Sequence, residues 1–142
     1  MSKLTLDQAN TIVQAALAKA GELGLLPLTV VVLDAGGHYL ALNRQDGAGI
    51  VRVEVATGKA WISLGTGLPS GKLDARDIKF LSALNGAASG RCVPVPGGVL
   101  VRDPETNAVI GAVGISGDTS EQDEACAVAG IQAAGLQPDG TI

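Results

Sequence analysis

Arg44 and Asp46 stand two positions apart in Arg44-Gln-Asp-Gly-Ala48, a pairing suited to small organic acids. A guanidinium grips a carboxylate through two parallel hydrogen bonds, and a nearby aspartate orients it or moves a proton. Lys59 adds a second cation, while Glu121 and Asp123 offer carboxylates for general acid/base work. His38 is the only histidine, a residue type that serves as ligand or proton carrier. Gly114-Ile-Ser116-Gly117 feeds a helix start, where backbone N–H groups relieved of side chains hold anions. Lys59, Glu121 and Asp123 are thus the candidate catalytic groups. Arg44, Asp46, His38, Gly98, Gly114 and Ser116 are the candidate ligand-binding groups. Together they suit a cofactor-independent tautomerase, isomerase or lyase.

Each residue also has a plainer role. Arg44 and Asp46 can pin a loop, Lys59 can be a solvated helix charge, and His38 can sit in a turn. Asp118, Glu121, Asp123 and Glu124 complement the dipole of the helix they open. Asp34 and Asp103 belong to turns. No sequence-local signature accompanies the candidates: no nucleophile elbow, no phosphate loop and no metal-ligand spacing. Cys92 and Cys126 read as buried free thiols, and one histidine cannot furnish a His-rich metal site.

The 142 residues suffice for a single domain, 1–142, with a core of its own. Fourteen acidic and ten basic residues leave a net charge of −4. That balance, with only Tyr39, Trp61 and Phe80 as aromatics, argues against nucleic acid as a partner. No apolar run approaches the ~20 residues that span a bilayer, so a membrane role is not expected. The polar start Met-Ser-Lys-Leu-Thr-Leu-Asp-Gln lacks a signal core, and a cytoplasmic location is expected. Hydrophobic residues are 46% of the chain and mostly small aliphatics. This apolar excess points to a face covered by another subunit, hence a homo-oligomer, at least a dimer.

Thr5-Leu-Asp-Gln8 has the form of a capping box, and Ala9, Ile12, Val13, Ala16, Leu17 and Ala20 share one helical face. Gly21 or Gly24 ends that helix. Leu28–Leu33 and His38–Asn43, joined by Asp34-Ala-Gly-Gly37, form a hairpin. Ile50–Val55 alternates as a strand would, but Val51, Val55, Gly58 and Ile62 also fall on one helical face, and period alone does not decide between them. Asp74 is placed to cap a helix reaching Asn85, with Ile78, Leu81 and Leu84 or Ala83 inward. Val99–Val101 and Ala108–Ile115 form a second hairpin, where Gly111, Ala112 and Gly114 invite close approach by another element. Thr119-Ser-Glu-Gln122 caps a last helix to about Ala134, and Pro138-Asp-Gly140 is a tail. This order implies a largely antiparallel sheet with helices against it.

Five segments then combine: Asp34-Ala-Gly-Gly-His38, Arg44-Gln-Asp-Gly-Ala48, Pro96-Gly-Gly98 with Arg102-Asp103, Gly111-Ala-Val-Gly-Ile-Ser-Gly117, and Ser120-Glu-Gln-Asp-Glu124. In this order they resemble the GlcG/HbpS-type proteins, which are similar to the C-terminal domain of PduO-type proteins. The resemblance runs from Thr5 to about Gly135. It implies an α/β fold of α+β type, a five-stranded antiparallel sheet flanked by helices in profilin-like layers, and homo-oligomers. It also implies a helix over residues 49–64.

Some members of this family bind haem, so the resemblance makes haem the candidate cofactor, with none required. In PduO-like relatives haem ligation is attributed to a histidine in the first helix. Thr5–Ala20 contains none. Ligation would therefore fall to His38, a cysteine or a weak oxygen donor, and the expectation is weak haem binding or none. The leading reading is a protein binding haem or another small molecule. The alternatives are an enzyme on a small organic acid and a structural oligomer stabilising a partner enzyme.

Overall fold

The computed structural model describes residues 3–141. Thr5 opens helix α1 (Leu6–Leu23) with the expected box: Gln8 N–H donates to Thr5 Oγ1 at 3.1 Å, and Thr5 N–H donates to Gln8 Oε1 at 3.0 Å. The helix buries Ala9, Ile12, Val13, Ala16 and Ala20 and ends at Gly24, whose φ of 65° is the left-handed conformation that glycine tolerates. Strands β1 (Thr29–Asp34) and β2 (Tyr39–Arg44) form the first hairpin. Helix α2 (Arg52–Thr66) settles the ambiguous segment as helix. A 3-10 turn (Ser70–Leu73), α3 (Ile78–Ala87), β3 (Gly98–Arg102), β4 (Val109–Ser116), α4 (Ser120–Ala133) and β5 (Gln137–Asp139) follow.

The five strands lie in the order β2-β1-β4-β3-β5, every neighbouring pair antiparallel. Side chains alternate between the two faces, so β1 sends Val30 and Val32 one way and Val31 and Leu33 the other. The first pair joins Val99, Val113 and Ile115 beneath α1 and α4. The second joins Leu100 and Ala112 beneath α2. The close approach foretold by the small residues of β4 is made by α2 of the same chain. A Cβ on Gly114 would collide with Ala56 O, and one on Gly98 with Lys59 O. No described helix is long and apolar enough to cross a membrane.

Three local expectations need correction. The tail is partly a strand: β5 pairs with β3, and Arg102 Nε donates to Asp139 Oδ2 at 3.0 Å. Asp74 does not cap α3. Its N–H closes the 3-10 turn on Gly71 O, and Asp77 precedes the helix without a side-chain cap bond. The inward face expected of α3 holds only in part, since no residue of the helix is fully buried. Leu81 and Leu84 rest against Ile62, Leu73, Ala88 and Cys92, while Ile78 is 75% exposed.

Candidate functional site

Lys59 lies on the sheet-facing side of α2. Its Nζ donates to Ile115 O at 2.9 Å and to Asp123 Oδ2 at 3.1 Å. Asp123 is held by the first turn of α4, and its Oδ1 accepts Asp118 N–H at 3.0 Å. Thr119 caps the same helix, accepting Gln122 N–H at 3.3 Å. Gly97, at φ +126°, leaves the room that the Lys59 ammonium occupies. Burial pushes the Lys59 ammonium below its usual range and the Asp123 carboxyl above its own; each shift is opposed by the other's charge. Both side chains are almost wholly withdrawn from water.

Beside this pair Arg52 Nη1 donates to Ser116 Oγ at 3.1 Å. Thr29 is Ser116's register partner across the sheet, and its Oγ1 is buried without a hydrogen-bond partner among the described residues. Lys59, Asp123, Ser116 and Gly114 thus come together around the α2–β4–α4 joint, and Gly98 underlies α2 next to them. Glu121 is exposed on the first turn of α4, with its charge still acting on Lys59. Sequence reasoning missed Arg52. The available signal was its spacing from Lys59: seven residues on a helix return to the same face.

Arg44 and Asp46 open onto a cleft of their own. They line an open cleft of about 490 Å³ with Leu25, Pro27 and Gln45. Arg44 Nη2 donates to Ala48 O at 2.8 Å and so pins its loop through the backbone, not through Asp46. Neither Lys59 nor Glu121 lines this cleft, although Arg44 pairs through Thr29 of β1 with Ser116 and so lies at the same end of the sheet.

His38 sits at the opposite end of β1 from Ser116, because Thr29 pairs with Ser116 whereas Asp34 pairs with Gly111. Its side chain is 81% exposed, and Nδ1 lies 3.4 Å from Asp34 Oδ1. That same oxygen accepts Gly36 N–H at 2.9 Å and His38 N–H at 3.0 Å, and these bonds hold Asp34 below the usual carboxylate range. A second cavity of about 490 Å³ opens beside the turn, walled by Leu4, Leu40, Val109 and Ile110 with Asp34 and Lys3. Cys92 and Cys126 are free and buried, as expected. Burial raises both thiol pKa values, that of Cys126 to about 11. Among the described residues no three His, Cys, Asp or Glu side chains converge as a metal group.

A sequence model of haem-degrading, HbpS-like proteins matches residues 4–132. The chain is 33% identical over 127 residues to the uncharacterized 15.0 kDa protein of the dhaT–dhaS intergenic region of Citrobacter freundii, covering 87% of this chain and 86% of that one. Among solved structures it is similar to the PduOC:haem complex, with a TM-score of 0.87 and 26% identity over 97% of this chain and 99% of the other. The Klebsiella pneumoniae protein ORFY gives a TM-score of 0.85 and 26% identity over 95% and 93% of the two chains. For HbpS the TM-score is 0.77 and the identity 27%, over 93% and 90%. Fold, motif order and the matched length agree: the chain belongs to the HbpS-like family.

Proposed function

We propose that this chain is a haem-binding protein that works by holding its ligand, not by catalysing a reaction on a small acid. The observation that carries the reading is the fold it shares, over nearly the full length of both chains, with a protein crystallised as a haem complex. The donor chemistry of this chain fits such a ligand. Helix α1 has no histidine and both thiols are buried with raised pKa values, which leaves the exposed imidazole of His38, at the end of the turn whose Asp34 and Gly36 line the second cavity. Bound haem would supply an iron centre whose reactivity is set by its axial ligand and surroundings. Homo-oligomeric assembly, at least a dimer, is part of the proposal. It is supported by large exposed apolar side chains such as Ile50 and Ile78.

The enzyme alternative, a tautomerase, isomerase or lyase, would draw on Arg44 and Glu121, because Lys59 and Asp123 are already paired out of water. The Arg44 cleft keeps a small organic acid as the second reading. Titration with ferric haem, followed at the Soret band, separates the two. Saturation near one haem per chain supports the proposal. A flat titration ends it, and malonate-induced NMR shifts confined to Arg44, Gln45 and Asp46 would then favour the acid.

A further inference from the structure

We propose that the start of α2 and the adjoining end of the sheet form a binding site for a single carboxylate, gripped by Arg52 and hydrogen-bonded by the Thr29 and Ser116 hydroxyls. The site stands apart from the haem reading. Arg44, Thr29 and Ser116 are register partners on three neighbouring strands, so their side chains leave the sheet on one face. It is the face of Val31 and Leu33, which α2 covers. Arg52, the first residue of α2, reaches this row, since its Nη1 donates to Ser116 Oγ at 3.1 Å. The half-buried guanidinium makes no other hydrogen bond among the described residues, and the ion pairs there are His38–Asp34, Lys59–Asp123 and Arg102–Asp139. Thr29 and Ser116 are fully buried. Thr29 Oγ1 has no hydrogen-bond partner, and Ser116 Oγ finds no acceptor for its own proton, among the described residues.

Buried hydroxyls are ordinarily hydrogen-bonded, and an unpaired one costs free energy. What this corner lacks is an acceptor, for two hydroxyl protons and most of a guanidinium fork. A carboxylate supplies two oxygens and matches that fork in its own plane. Val51 gives α2 no side-chain cap bond, so the positive end of the helix dipole favours an anion at the same place. Arg52 now lies against Ser116. Turning it outward costs one bond to a neutral oxygen, and two charge-assisted bonds to a carboxylate exceed that. Neighbouring charge limits the ligand. Lys59 is already paired with Asp123, Glu121 acts on Lys59 from α4, and Glu54 stands in the first turn of α2. Beside these acids the single charge of a carboxylate is accommodated better than the double charge of a phosphate. A free small acid and a haem propionate offer the same group.

The test is sodium acetate titrated into the full chain at constant ionic strength, followed by proton–nitrogen NMR, with chloride and phosphate as controls. Saturable shifts are expected at the Arg52 side chain and at the Thr29 and Ser116 amides, with phosphate the weaker ligand. Arg52→Gln should lose about tenfold or more in affinity, and Arg52→Lys, which keeps the charge but not the fork, several-fold. Thr29→Val should weaken acetate several-fold with an equal or higher melting temperature, because the hydroxyl it removes is unpaired in the free protein. Ferric haem added to the acetate complex separates the two sources: loss of the acetate shifts assigns the site to a propionate, and their persistence to a free acid. Shifts that chloride reproduces, shifts confined to Arg44, Gln45 and Asp46, or affinity unchanged in both Arg52→Gln and Thr29→Val overturn the site. Phosphate binding as tight as acetate overturns the choice of a carboxylate. A chain that binds acetate here and ignores haem keeps this site and loses the haem reading.

Discussion

Lys59 Nζ, from α2 on one face of the sheet, meets Asp123 Oδ2, from the first turn of α4, at 3.1 Å beside the end of β4, with side-chain exposures of only 3% and 2%. Removing either partner strands a buried charge. Lys59→Met and Asp123→Leu should each cost about 3–5 kcal/mol, and the double variant should recover most of the loss. Urea unfolding of the three variants checks this. Single variants within 1 kcal/mol of wild type would mean that the pair contributes no more than a surface contact.

Helix α2 rests on bare backbone at Gly98 and Gly114. Gly114→Ala forces a methyl against the Ala56 carbonyl and should destabilise the chain by about 1–3 kcal/mol or more. Gly86→Ala, where a Cβ meets nothing within 4 Å on α3, is the matched control and should be neutral or slightly stabilising. Equal denaturation midpoints for the two variants would contradict the close seating of α2.

Cys126 has its pKa raised from 9.0 to about 11 by burial. A native-state pKa above the unfolded value means that the folded thiol keeps its proton where the unfolded one has lost it. Its contribution is therefore complete below pH 9 and is lost as pH rises through about 11. Over that window wild-type stability should fall by roughly 2–3 kcal/mol more than that of Cys126→Ala. Parallel curves for the two proteins across the alkaline range would refute it.

The chain should sediment above its monomer mass of 14.2 kDa. Ile50 at 92% exposure, Ile78 at 75% and Leu26 at 64% present more large aliphatic surface than isolated side chains in a monomer require. Equilibrium sedimentation at micromolar concentration, fitting a single 14.2 kDa species, would remove the assembly from the proposal.

Local chemistry made α1 and both hairpins readable, because a capping box, turn glycines and β-branched runs act over a few residues. Residues 50–55 were ambiguous because Val51, Val53 and Val55 alternate like a strand. What decides in favour of helix is the run of buried positions Ala56, Lys59, Ala60 and Ser63, set by the sheet beneath them. Periodicity identified α3 and the inward side of Leu81 and Leu84, but not that Ile78 stays exposed, since an apolar stripe does not reveal how much of it is covered. Gln137-Pro-Asp139 carries no strand signal and becomes β5 through pairing with β3. The site showed the same division. The residue types were legible at Lys59, Asp123, His38 and Arg44, but their distribution among a buried pair, a turn and a separate cleft depends on tertiary packing.

The pairing of β1 with β4 also governs how the chain reaches its fold. Each hairpin is made of neighbours in sequence, but the seam between the hairpins joins Thr29 to Ser116. Closing it waits on a long loop, so this step should dominate the folding time, in the slower range typical of sheets with distant partners. During synthesis β1 emerges well before β4. Until then its run of Val30, Val31, Val32 and Leu33 has an open edge, the kind of surface on which nascent chains associate wrongly. Helix α2 packs on Val31 and Leu33 of that strand and is made before β4, but the edge itself closes only when residues 109–116 arrive.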